Sequence, residues 1–373
     1  MTISQAILNL DFANTNGLVD PRIAFSRAAV ATFVGQNGLL QTAFAGVPRV
    51  PFDPVSGSCL GLMIEEQRIN EALYCRDASN AAWTKTNITA AKDQTGIDGS
   101  ATSASSLLAT ATNGTCTQAI TSSSNTRTFS VYVKRLVGTG IVYMTLDNST
   151  FTDVTSQITG AGPNGYARIS VSQAALTNPT IGFKLAVNAD KIAVDYVQEE
   201  VGAFATSAVL TTAATFTRVA ETSTMLLSAV PGWNANAGTI VLKGIAPPTS
   251  AVAGVAFQID DGTENNRLTI RRNASGVAYA TVVSGSVTIA DMSLGAWAAG
   301  TLASVALSWK AGAFNAVLNG GTVSNVATGA VPLSLATARL GANSAAVSWD
   351  GQVYRVVLFP QAATAADIQS LTL

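Results

Sequence analysis

The sequence predicts an all-β protein: two antiparallel β-sandwich (jelly-roll) domains preceded by an irregular N-terminal segment. Three observations lead there. Short runs of alternating apolar and polar residues recur through most of the chain. Glycine, asparagine and proline turn signals separate them at short intervals. Only one stretch, near the C-terminus, has a helix-forming composition. At 373 residues the chain exceeds one ordinary core, because domains cluster at roughly 100–200 residues, and two sandwiches fit the length.

Residues 1–76 carry turn punctuation at Asp20-Pro21, Asn37-Gly38, Val47-Pro48, Asp53-Pro54 and Ser56-Gly57 rather than steady alternation. Short strands are expected at Ala24–Phe33 and Gly61–Ile64. With so little periodic burial, this segment is expected to complete its core against a neighbouring subunit or other partner. Residues 77–207 form the first sandwich. In Thr128–Lys134, Phe129, Val131 and Val133 fall on one face and Ser130, Tyr132 and Lys134 on the other; in Lys191–Gln198, Ile192, Val194 and Tyr196 oppose Ala193, Asp195 and Val197. Asn164-Gly165 signals a hairpin. Residues 208–225, rich in Thr and Ala, read as a linker. The second sandwich, 226–373, opens near Gly238–Ile245. There Val305, Leu307 and Trp309 alternate, Ala311-Gly312 turns, and Phe314, Ala316 and Leu318 alternate back. A strand at Val353–Phe359 precedes Pro360 and a short helix within Ala362–Leu371.

Composition excludes several function classes. Hydrophobic residues make up 48% and charged residues 12%, so the surface must be built from neutral polar side chains. The net charge of -1, from 21 basic and 22 acidic residues, supplies no long-range attraction for phosphate backbones or anionic membranes, so neither nucleic acid nor a membrane is an expected partner. The chain has no histidine, which removes Ser-His-Asp and Cys-His catalysis and the commonest transition-metal ligand. Cys59, Cys75 and Cys116 are widely spaced and without a CxxC pair, and read as buried thiols. The start lacks a basic n-region, and no run approaches the ~18 apolar residues of a membrane span, so synthesis and folding in a cytoplasm are expected.

The N-terminal stretch Asp20-Pro21-Arg22-Ile23-Ala24-Phe25-Ser26-Arg27-Ala28, then Val47-Pro48-Arg49, Phe52-Asp53-Pro54 and Leu60-Gly61-Leu62-Met63-Ile64-Glu65-Glu66-Gln67-Arg68-Ile69-Asn70, resembles the opening segment of phage head-spike and tail-fibre proteins, including head spikes of gene transfer agents. Order and spacing are kept, while Val50-Pro51 and Ile69 depart from the pattern. The middle region resembles carbohydrate-binding jelly rolls through Asn80-Ala81-Ala82-Trp83, Asp98-Gly99-Ser100-Ala101, Phe129-Ser130-Val131-Tyr132-Val133-Lys134 and Asp195-Tyr196-Val197-Gln198-Glu199-Glu200. The last part resembles concanavalin A-like, laminin-G-like sandwiches through Ala306-Leu307-Ser308-Trp309-Lys310, Val317-Leu318-Asn319-Gly320 and Trp349-Asp350-Gly351. These resemblances imply a homo-oligomer, trimeric or pentameric, on a virion surface, made in a bacterial cytoplasm. Residues 1–76 would be its attachment segment to capsid or tail proteins, and host surface polysaccharide its target. A chain lacking residues 1–76 would then stay folded but fail to join particles.

Sugar binding needs an aromatic face for the pyranose ring and nearby amides or carboxylates for its hydroxyls. Trp83, Trp309 and Trp349 read as core. Trp233 and Trp297, in loop-like contexts, are the candidates for exposure, and Tyr132 is a third carbohydrate-binding candidate. Asp260, Asp261 and Glu264 bring several oxygen ligands into one turn, a pattern that fits a structural Ca²⁺; a solvated hairpin tip neutralised by Arg267, Arg271 and Arg272 explains it more simply. No other cofactor is implied.

The carboxylate doublets Glu65-Glu66, Glu199-Glu200 and Asp260-Asp261 do not read as a glycosidase pair, which needs two acids roughly 5–9.5 Å apart across one sugar. Neighbours on a strand point to opposite faces. The chain is expected to be no enzyme. Asp20, Arg22, Arg27, Glu65, Glu66 and Arg68 form the densest charged group, read either as a docking register between subunits or as local turn stabilisation. A purely structural particle protein and a polysaccharide depolymerase are the rival readings.

Overall fold

The computed structural model describes residues 5–14, 18–249 and 253–373. The chain is nearly all β, with a single short α-helix, Ala365–Leu371, among the described residues. That helix is opened by a capping box in which Thr364 and Asp367 satisfy one another's backbone N–H groups. All strand ladders are antiparallel.

The first sandwich packs two five-stranded sheets. One runs Thr152–Asp153, Val142–Thr145, Thr180–Leu185, Gly114–Ala119 and Thr84–Thr86; the other runs Ala167–Leu176, Asn125–Val137, Lys191–Val201, Ala104–Ala109 and Ile88–Gln94. Phe129, Val131 and Val133 fill the core between them, as alternation requires. The opposite face of the same strand is buried too: Thr128, Ser130 and Tyr132 are covered, because residues 204–208 fold back over that sheet. The second expected alternation, in Lys191–Gln198, is interrupted. A bulge between the pairings Ser130–Gln198 and Tyr132–Asp195 accommodates Tyr196 at a φ of 46°, and both faces are buried around it.

The second sandwich packs two seven-stranded sheets, and here the N-terminal segment enters. Leu8–Asp11 pairs with Gly351–Phe359 at one sheet edge, Leu62–Ile64 pairs with the beginning of the same strand, and Ala24–Ser26 pairs with Thr222–Leu226 in the facing sheet. Leu8, Leu10, Phe12, Leu62 and Ile64 share one core with Trp297, Trp309 and Trp349. The expectation that this segment needs a partner to complete its core is thus corrected: its partner is the far end of the same chain. Residues 208–225 are likewise no free tether. Ala208, Val209, Thr211, Arg218 and Glu221 are buried, and Phe216–Arg218 pairs with Arg68–Asn70.

Candidate functional site: a cleft where three segments meet

The residues that join the segments are charged and buried. Arg49 is fully buried and uses all five of its N–H donors. Nε and Nη2 donate to the two carboxylate oxygens of Glu221 at 2.8 and 2.7 Å, Nη2 also to Glu65 Oε2 at 2.7 Å, and Nη1 to Thr32 O at 2.8 Å and Ser207 Oγ at 2.6 Å. Arg27 adds a contact to Glu221 Oε1 at 2.7 Å and bonds the carbonyls of Ala29, Ala43 and Phe44. Arg218 lies 3.3 Å from Glu65. Three cations and two carboxylates therefore tie the N-terminal segment to residues 207–221. Burial opposes ionisation of Glu65, but Arg218 and Arg49 outweigh it and hold its carboxyl well below the usual range.

Of the charged residues expected at an attachment surface, Arg27, Glu65 and Arg68 are thus inside the chain. Arg68 pairs with Glu66 and stacks on Phe204 at 4.8 Å. Glu66 keeps its side chain partly in solvent, and Asp20 and Arg22 form a surface pair at 2.6 Å. Arg27 and Glu65 are satisfied within the chain, whereas Arg68 leaves Nε and Nη1 buried without a hydrogen-bond partner among the described residues.

Beside this clamp opens a cleft of about 470 Å³, within the roughly 300–1,000 Å³ of small-molecule sites. Its walls come from all three parts of the chain: Phe33, Phe52 and Met63 from the N-terminal segment, Tyr132, Tyr166, Arg168 and Phe204 from the first sandwich, and Ile245, Asp350 and Gln352 from the second. The strand Ala167–Leu176 carries Arg168 opposite Tyr132. The guanidinium stands 5.4 Å from the Tyr132 ring centre and donates through Nη2 to Thr206 O and Ser130 Oγ. Its Nε is buried and has no hydrogen-bond partner among the described residues. Tyr166 is oriented by its hydroxyl, which donates to Thr95 O at 3.0 Å.

Two carboxylates reach this cleft, and their environments differ. Both oxygens of Glu65 are occupied by Arg49 and Ser207. Asp350 accepts from Glu66 N at 2.6 Å and Ser348 Oγ at 3.1 Å; burial, reinforced by Glu66, pushes its carboxyl up to about 7. Glu65 is thus held ionised by arginines while Asp350 is held close to neutrality, and around them the cleft offers aromatic side chains and hydrogen-bonding groups.

The remaining expected site residues lie elsewhere. Trp297 is only 1% exposed, against the expectation of exposure. Its loop folds back through Trp297 N to Gly276 O, its Nε1 donates to Thr301 O at 3.0 Å, and the indole packs 4.8 Å from Trp349. Trp233 is half-buried, donates to Leu335 O at 3.3 Å and packs 5.9 Å from Trp309. Of the three aromatic candidates only Tyr132 lines the cleft. Asp260 is buried against Arg339 at 2.6 Å, Asp261 accepts from Thr263 and Asn266, and Glu264 accepts from Gln258 and Ser344. Their oxygens are engaged by the turn and by the neighbouring Arg339 and Ser344, and no group of three or more acidic or sulfur ligands is placed to hold a metal among the described residues.

Sequence reasoning missed Phe33, Phe52, Phe204 and Arg168. Nothing local distinguishes them from core aromatics or surface charge; only the tertiary meeting of the segments makes them neighbours.

No protein-family model and no curated protein matches the chain. Among solved structures, it is similar to the Ruminococcus gnavus IT-sialidase CBM40 bound to α2,3-sialyllactose: 14% identity, 39% of this chain and 86% of that chain covered, TM-score 0.34. It is also similar to domain 4 of an extracellular GH43 arabinanase from Geobacillus stearothermophilus in complex with arabinotriose, at 18% identity over 41% of this chain and 73% of that chain with a TM-score of 0.32. A heptameric SAP-like pentraxin from Limulus polyphemus follows at 13% identity over 37% and 70%, with a TM-score of 0.28.

Proposed function

We propose that this chain is a non-enzymatic, glycan-binding protein of a phage-like particle surface, with the three-segment cleft as its sugar site. The observation that carries the reading is the cleft's lining: Phe33 and Phe52 are half-buried rings with Tyr132 and Phe204 more deeply buried behind them, and the Arg168 side chain and the Gln352 amide lie beside them. Such a lining suits a pyranose, which is apolar on its faces and hydroxylated at its rim. The particle location is supported by the resemblance of residues 20–70 to spike and fibre openings. Display in several copies would let millimolar sites act together through effective concentration.

The test is a glycan array with the intact chain and the variants Phe52→Ala and Arg168→Ala. Retention on capsular or lipopolysaccharide sugars, reduced roughly tenfold or more in both variants with unfolding midpoints unchanged, supports the proposal. Retention on no glycan would leave a purely structural particle protein, and release of reducing ends from host capsule would make it a depolymerase.

A further inference from the structure

A second hollow, of about 570 Å³, lies on the outer face of the second sandwich, away from the cleft. Arg355, Lys243, Ser304 and Asn319 form its polar floor, part of one row across the sheet. Register places Asp11, Arg355, Lys243 and Ser304 side by side on four neighbouring strands, and Asn319 continues the row by accepting Ser304 N on its Oδ1 at 2.7 Å. The flanking residues Leu242, Val305 and Val356 are fully buried, so alternation turns the row outward.

Lys243 and Arg355 face one another directly across two strands, an arrangement of like charges that destabilises a ladder unless something compensates it. Compensation inside the chain is incomplete. Arg355 Nε donates to Asn9 Oδ1 at 2.9 Å and lies 3.8 Å from Asp11, which leaves both Nη groups without a partner among the described residues. Lys243 Nζ has no hydrogen-bond or carboxylate partner among them either. A bulge between Lys243 and Gly244 inserts Tyr354 beside the pair and brings its ring centre 5.5 Å from Lys243 Nζ. Val241, Val357, Phe359 and Leu371 form the apolar remainder of the hollow.

We propose that this hollow binds a carboxylate-bearing sugar, a uronate within a surface glycan. The carboxylate bridges Lys243 and the free Nη groups of Arg355, relieving their repulsion with charge-assisted hydrogen bonds. The Phe359 ring and the apolar lining beside it take the sugar face, and Ser304 Oγ and Asn319 Nδ2 take ring hydroxyls.

The test is titration calorimetry of the intact chain with a glucuronate-containing disaccharide, its neutral glucose counterpart, and sodium acetate and sulfate as bare anions. The uronate is expected to bind at least tenfold more tightly than the other three, to weaken as salt rises, and to lose that advantage in Lys243→Gln. Lys243→Arg should retain most of it. Phe52→Ala, at the other site, should leave uronate binding intact, so failure here and failure of the cleft are read separately. Equal binding of acetate or sulfate, equal binding of the neutral disaccharide, or no uronate binding would each overturn the proposal.

Discussion

Replacing Arg49 with methionine should be among the most damaging single changes in this chain. The guanidinium is fully buried and donates five hydrogen bonds, three of them to carboxylates. Methionine fills much of the volume but leaves Glu65 and Glu221 with fewer cations in a site closed to water. Breaking a buried pair by removing one partner costs about 3–5 kcal/mol. Lysine keeps the charge but has three donors and no planar fork, so Arg49→Lys should fall between wild type and methionine. Denaturant unfolding followed by tryptophan fluorescence is a suitable assay, because Trp297, Trp309 and Trp349 lie in the core that the clamp helps close. The variant should also become more acid-sensitive. The depressed carboxyl of Glu65 contributes stability above the ordinary carboxylate range that is lost as pH falls through its folded value, and without Arg49 that loss moves to higher pH. A destabilisation below about 1 kcal/mol for Arg49→Met, or equal effects of Met and Lys, would refute the clamp.

Other outcomes follow from the same burial. Burial pushes Asp350 and Glu199 up to about 7; for raised carboxyls, the stability present in acid is lost as pH rises through the folded value. The melting temperature should fall between about pH 4 and 7 by an amount that Asp350→Asn reduces; an identical pH profile in that variant would contradict it. Trp297→Ala should cost about 3–5 kcal/mol by opening a core cavity, yet leave glycan retention by the folded protein unchanged; selective loss of retention would reinstate it as a ligand contact. Cys75 and Cys116, whose thiols burial pushes up to about 11 and about 12, should resist a thiol reagent until denaturant is added. Rapid native labelling of both would refute their placement.

What the sequence made legible was local. The alternation of Val305, Leu307 and Trp309 against Phe314, Ala316 and Leu318 located a hairpin whose two strands pair as expected, and the C-terminal helix was marked by its composition and by Pro360. The burial of Trp309 followed from the same rule. Trp297 was misread because Gly295 and Ala298 suggest a surface loop, whereas the loop's own hydrogen bonds turn the indole inward. Pairings such as Leu8 with Leu358 leave no periodic trace, because the partners are at opposite ends of the chain and each strand is only a few residues long. The cleft is harder still. Its aromatics come from three segments, and each looks like an ordinary core residue until the segments meet. Glu221 sat in what reads as a linker, where a single acid carries no signal without Arg27 and Arg49 beside it.

The integration of the N-terminal segment changes how the proposed attachment must be tested. Deleting residues 1–76 removes Leu8, Leu10, Phe12, Leu62 and Ile64 from the second sandwich, each at most 3% exposed. Burial of one such side chain contributes about 1.5–3 kcal/mol, so five together are comparable with the roughly 5–15 kcal/mol that separates a folded domain from its unfolded chain. The deletion also takes Arg27, Arg49 and Glu65 from the clamp, leaving Glu221 and Arg218 buried without their main partners. The truncated chain should therefore lose its cooperative unfolding transition and aggregate, not persist as the folded, unattached protein that the sequence suggested. Near-ultraviolet circular dichroism and gel filtration would show which occurs; a monodisperse product with native-like tryptophan signals would refute the dependence. Attachment is better probed by polar substitutions at Phe44, Val47 and Val55, which are exposed apolar residues of the same segment and can be changed without opening the core.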